Sequence, residues 1–90
     1  MSVKIHIHVT HRRHTNGQKT IDVQGNSVEE ALNNFVTLHP GMKHELFDKK
    51  GVLRHYIEIY LNNESAYPDE LNRQVKKGDE IHIITFLAGG

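Results

Sequence analysis

The sequence predicts an α+β domain in which a mixed sheet of four to five strands carries one main helix on one face. Three observations lead to it. Residues 3–9 alternate apolar and polar side chains, residues 27–41 carry the start, stripe and stop of an amphipathic helix, and two further alternating runs lie at 55–61 and 80–86. A chain of 90 residues holds one modest core, because proteins of this size bury only roughly 60–65% of the surface that the unfolded chain exposes.

The first strand places Val3, Ile5, Ile7 and Val9 on one side and Lys4, His6 and His8 on the other, the period of two that a half-buried strand requires. "HRRHTNG" follows, and Asn16-Gly17 is a turn dipeptide because both residues tolerate positive φ. "QKTIDV" is the returning strand. In "NSVEEALNNFVTLHPG", Ser27 and Glu30 form a capping box. Val28, Ala31, Leu32, Phe35 and Val36 make one helical stripe. Pro40-Gly41 ends it, since proline cannot continue the hydrogen-bond ladder. "MKHELF" reads as a single helical turn and "DKKG" as a turn. "HYIEIYL" is the third strand, with Ile57, Ile59 and Leu61 opposite Tyr56, Glu58 and Tyr60, and Asn62-Asn63 ends it. Pro68 to Asn72 reads as a short helical turn, and Gly78-Asp79 turns into the last strand, where Ile81 and Ile83 alternate with Glu80 and His82.

One amphipathic helix must cover one face of one sheet. The simplest arrangement sets the first and last strands side by side and parallel at the centre, joined by right-handed crossovers. This is the β-grasp, or ubiquitin-like, architecture. The domain is expected to span 1–86, leaving 87–90 as a diglycine tail hung from a central strand.

Composition narrows the function. Eleven basic and eleven acidic residues give no net field for nucleic acid or an anionic membrane. No run approaches the roughly 20 apolar residues of a membrane span, and "MSVKIHIHV" is not the apolar core of a signal peptide. Without cysteine there is no disulfide framework, thiolate metal site or thiol nucleophile, and a cytoplasmic location is expected. Hydrophobic residues at 37% and charged residues at 24% suit a folded domain with a polar surface better than a disordered tail.

The tail carries the chemistry. Leu87, Ala88, Gly89 and Gly90, extended, reach roughly 13 Å at about 3.3 Å per residue. Glycine has no side chain to obstruct a narrow channel and adopts φ values closed to other residues. The arrangement suits threading a terminal carboxylate into another protein's active site. A carboxylate is anionic at neutral pH and resists nucleophiles until it is activated, for instance as a mixed anhydride with AMP. A sulfur donor then converts it to a thiocarboxylate. A chain without cysteine cannot capture its own activated carbonyl.

"VKKGDEIHIITFLAGG" resembles the ending of the ThiS/MoaD sulfur-carrier family, with Gly78-Asp79, Ile81 to Ile84 and Gly89-Gly90 at the matching places. "IEIYLNNE" is similar to the family strand that ends in an asparagine turn, here Asn62. Arg12, His14, Thr15, Gly17, Gln18 and Lys19 in "HRRHTNGQK" resemble the longer first loop of the CysO-like branch, which carries sulfur for cysteine biosynthesis, and the extended segment 42–54 fits that branch as well. The chain departs from the family at Thr85, where proline is frequent. The resemblance implies a carrier that is not itself an enzyme and binds no cofactor. Its partners would be an E1-like (MoeB/ThiF-type) enzyme that adenylates Gly90 with ATP and magnesium, a sulfur donor, and a sulfur-accepting synthase. In the CysO-like branch the acceptor is a pyridoxal-phosphate (PLP) cysteine synthase, and a JAMM-type metalloprotease trims the added cysteine. Thiamin or molybdopterin synthesis and a protein-modifier role are the alternatives within the fold.

Eight histidines set a separate question. Strand phase points His6, His8 and His82 outward together, and three imidazoles on one face could bind zinc or nickel. The sequence favours a solvent-facing surface over a metal site, with His6, His8, Tyr56, Tyr60, His82 and Phe86 as a docking face for the activating enzyme, since interfaces are enriched in aromatic residues. A histidine-rich metal-binding module is the competing class. Arg12, Arg13 and His14 read as a solvated hairpin tip, and Lys76-Lys77 as solvated charge. Glu29 and Glu30 complement the helix macrodipole.

Overall fold

The computed structural model describes residues 1–86; the expected tail, Leu87 to Gly90, lies outside the described residues. β1 (Ser2–Ile7) and β2 (Thr20–Gln24) are followed by α1 (Val28–Leu38), the single-turn α2 (Lys43–Leu46), β3 (Ile57–Leu61), β4 (Glu64–Ser65) and β5 (Glu80–Thr85). The five strands lie in the order β2-β1-β5-β3-β4. β5 runs parallel to β1 and antiparallel to β3, so the first and last strands are adjacent and parallel, with β5 at the centre. β4 was not expected as a strand. Asn62, at φ 57°, turns the chain back on itself and brings Tyr60 opposite Ser65.

The alternation decides which side chains are buried. Val3, Ile5, Ile7, Ile21, Val23, Ile57, Ile59, Ile81 and Ile83 are buried on one face of the sheet, with Val28, Ala31, Leu32 and Phe35 of α1 against them. Val36 packs at the margin of this core. The helix begins as its sequence dictates. Ser27 Oγ accepts from Glu30 N at 3.1 Å, and Glu30 Oε1 accepts from Asn26 N at 2.9 Å. The return bond therefore reaches one residue further back than in the usual capping box. β2 and α1 approach closely at Gly25, where a Cβ would lie 2.8 Å from Ala31 N.

The segment after β1 differs from expectation. It is a 3-10 turn spanning Val9–Thr15 rather than a solvated tip, and His11 and Thr15 within it are buried. Polar satisfaction explains the difference. Thr15 Oγ1 donates to the carbonyls of Arg12 or Gln18, at 3.2 and 2.8 Å, and Arg12 Nε donates to Ile7 O at 3.2 Å. Arg13 alone of the three basic residues Arg12, Arg13 and His14 is exposed. Asn16 (φ 55°) and Gly17 (φ 80°) make the turn that follows.

Candidate functional site

β5 carries the chain towards the tail between two hydrogen-bonded neighbours. Thr85 is paired with Ile57, and Phe86 N donates to Tyr56 O at 2.8 Å. From within the 3-10 turn, His11 Nε2 lies 2.6 Å from Thr85 Oγ1. The last strand residue is thus held by both backbone and side chain, two residues before the segment expected to react.

Behind this contact is a polar cluster. Glu45 of α2 meets His14 Nε2 at 3.1 Å, Arg13 Nη2 at 3.4 Å and His11 Nδ1 at 3.6 Å. The last separation exceeds a hydrogen bond, and among the described residues the buried His11 Nδ1 has no hydrogen-bond partner. Burial pushes the His11 imidazole below its ordinary range, with Glu45 opposing and His8, His14 and Arg13 reinforcing the shift.

The outer face of the sheet is ordered by strand register. His6 is opposite His82 across the parallel β1–β5 pair, and His82 is opposite Tyr60 across β5–β3. The His6 and His82 rings stack at 4.1 Å between centroids, 10° from parallel. His6 Nε2 lies 2.5 Å from Glu80 Oε1. Partial burial lowers the His82 pKa, helped by His6 and opposed by Glu80. Ile84 continues the outward row on β5 and, with Tyr60, Asn62, Asn63 and His82, lines a shallow concavity of about 270 Å³.

His6, Tyr60 and His82 are thus brought together, while three residues expected beside them are elsewhere. β1 stops at Ile7, and His8 turns to cap the next segment, its Nδ1 2.8 Å from Thr10 Oγ1. Tyr56 precedes β3 and packs partly buried against the core. Phe86 is 54% exposed and opens onto a separate cleft of about 770 Å³, shared with Leu53, Arg54, Ile57 and Tyr67. Gly90, Gly89, Ala88 and Leu87 lie outside the described residues.

The ThiS family model matches residues 8–90. The chain belongs to the ThiS family. Its relatives include "Sulfur carrier protein CysO" of Mycobacterium tuberculosis, 28% identical over 93 aligned residues that span the whole of both chains. Among solved structures it is similar to the Amycolatopsis orientalis BexX/CysO complex, at 31% identity and a TM-score of 0.87, covering 98% of this chain and 99% of that one. It is also similar to SAMP1 of Haloferax volcanii, at 25% identity and a TM-score of 0.88 over 100% of both chains.

Within this ThiS-family chain, sequence reasoning missed Glu45, Glu80, Ile84 and His11 as site residues. Period-two phase could have found Glu80 and Ile84, which stand two residues either side of His82 on β5. No comparable signal joins His11 to Thr85, 74 residues away. Among the described residues, no helix is long and apolar enough to cross a membrane.

Proposed function

We propose that this ThiS-family chain is a sulfur carrier whose Gly90 carboxylate is the group that carries sulfur. The observation that carries the reading is the family match through residue 90, which includes Gly89-Gly90, supported by full-length similarity to a protein named for sulfur carriage. The chain supplies the acyl group, and the cofactors of the activation belong to its partners. An E1-like, MoeB/ThiF-type enzyme brings ATP and magnesium. A carboxylate oxygen of Gly90 attacks the α-phosphorus of ATP, pyrophosphate leaves, and an acyl adenylate results. Sulfide-level sulfur (HS⁻) from a donor then attacks the carbonyl, loses its proton and displaces AMP, leaving a terminal thiocarboxylate.

The similarity to CysO favours cysteine biosynthesis as the destination. A pyridoxal-phosphate cysteine synthase then joins the thiocarboxylate sulfur to its amino-acid acceptor, leaving cysteine linked to the Gly90 acyl group, and a JAMM-type metalloprotease hydrolyses that link to release cysteine and restore the carboxylate. The outer face at His6, Tyr60, His82 and Ile84 is the docking surface for the activator. Intact mass spectrometry tests the reading. Incubation with ATP, magnesium, the activating enzyme and a sulfur source should replace one oxygen of the chain by sulfur, and deletion of Gly90 should abolish the gain. No gain with any cognate activator rejects it.

The similarity to SAMP1 supports a second reading, a ubiquitin-like modifier. A lysine amine would then attack the same acyl adenylate and form an isopeptide. Lys77 is the last tryptic site before Gly90, so the remnant Gly78 to Gly90 on lysines of other proteins after tryptic digestion would establish that outcome.

A further inference from the structure

The row on the outer face has a chemistry that neither sulfur carriage nor docking requires. Parallel pairing sets His6 against His82, and the alternation of β5 puts Glu80 on the same side two residues earlier. Lys4, opposite Glu80, inclines the other way, with its Nζ 3.9 Å from Asp22 Oδ1. Glu80 instead meets His6. One ligand atom from each of His6, Glu80 and His82 lies within 4.8 Å of the other two.

Two imidazoles and one carboxylate are a donor set for a borderline divalent ion such as zinc. Bonds of about 2.0–2.1 Å in a tetrahedron place donor atoms roughly 3.4 Å apart, so rotation of these side chains closes the group without moving the strands. His6 and His82 are partly exposed and Glu80 is exposed, which leaves a direction open for water as a fourth ligand.

We propose that His6, Glu80 and His82 form a binding site for one divalent transition-metal ion, linking β1 to β5 on the outer face of the sheet. His8, which the sequence placed in this group, is not a ligand. The competing group is the cluster of His11, His14 and Glu45, where Arg13 adds a positive charge that opposes a cation.

Calorimetric titration of the full chain with zinc ion tests the site. One equivalent should bind. His6→Ala, His82→Ala and Glu80→Gln should each weaken binding at least about tenfold, the scale seen even for outer-shell changes at metal sites, while His8→Ala and His14→Ala leave it unchanged. The ring signals of His6 and His82 should shift together in NMR spectra as zinc is added. Because the variants alter partly exposed side chains, circular dichroism should show each of them folded. Zinc binding retained in the folded His6→Ala/His82→Ala double variant, or lost on His14→Ala, would overturn the proposal, as would absence of binding to the unaltered chain.

Discussion

His11 Nε2 and Thr85 Oγ1 meet at 2.6 Å across 74 residues of sequence, tying the turn after β1 to the last residue of β5. The histidine side chain is only 6% exposed. Among the described residues its second nitrogen has no hydrogen-bond partner, and the Thr85 hydroxyl is the partner of its ring there. Thr85→Val keeps the shape and strand preference of the side chain but removes the hydroxyl. Leaving a buried polar group unsatisfied costs about 1–3 kcal/mol, and that loss is expected in urea denaturation. Thr85→Ser, which restores an oxygen at the same place, should recover most of it.

The same contact predicts a pH dependence. Burial, the largest cause, lowers the His11 pKa from 6.5, and burial likewise lowers that of His82. As pH falls below about 6.5 the unfolded chain takes up protons that the native state still refuses. The contribution to stability is therefore intact above that pH, declines as pH falls towards the folded values, and levels off below them. Urea midpoints measured from pH 8 to pH 5 should fall on the acid side. His11→Gln, which remains neutral throughout, should show a shallower fall than the unaltered chain.

A third expectation concerns the close approach of β2 and α1. A Cβ at Gly25 would lie 2.8 Å from Ala31 N and 2.9 Å from Ala31 Cα, both backbone atoms of the helix. Neither can yield without moving α1 off the sheet. Gly25→Ala should cost about 1–3 kcal/mol, as overpacking generally does. Gly17→Ala offers a contrast, because nothing lies within 4 Å of its added carbon and its φ of +80° is the difficulty. Reducing backbone strain alone should not rescue Gly25→Ala, and a thermal unfolding series comparing the two separates crowding from conformation.

The sheet and the main helix were legible because their signals are local and periodic. Alternation at Val3, Ile5 and Ile7 and at Ile81 and Ile83 specifies strands with one buried face. Ser27 with Glu30 marks the first turn of α1, and each of these is found in its expected role. The strand order followed because one helix can cover only one face. The functional surface was less legible. Strand phase correctly set His6 and His82 together, but extended the strand two residues too far, carrying His8 with it and placing Val9 on the buried side when it is exposed. Arg12, Arg13 and His14 looked like a solvated tip because charge in a short loop usually is solvated. Here Glu45, more than 30 residues on, gathers His14 and Arg13 beside buried His11. Such a cluster depends on how α2 packs, and no period in the sequence encodes that packing.

Ile84 supplies the last expectation. It lies outward on β5, partly exposed, two residues beyond His82 and opposite Glu58, and it shares a concavity with Tyr60 and His82. An apolar side chain on the solvent-facing side of a central strand contributes nothing to the buried core, whereas apolar and aromatic groups at the centre of an interface carry much of the binding energy. Ile84→Glu should therefore leave the fold intact while weakening association with the proposed activating enzyme. Burying an uncompensated charge in that contact should lower kcat/KM for adenylation at least about tenfold, the scale of a single interface anchor. Steady-state pyrophosphate release measures it. If activation is impaired because the surface no longer docks, KM should rise with little change in kcat; an equal fall in kcat would locate the defect in presentation of the tail instead. Tyr60→Ala should act in the same direction, since its ring borders the same concavity from β3, while Asp22→Ala, on β2 beyond β1, should not.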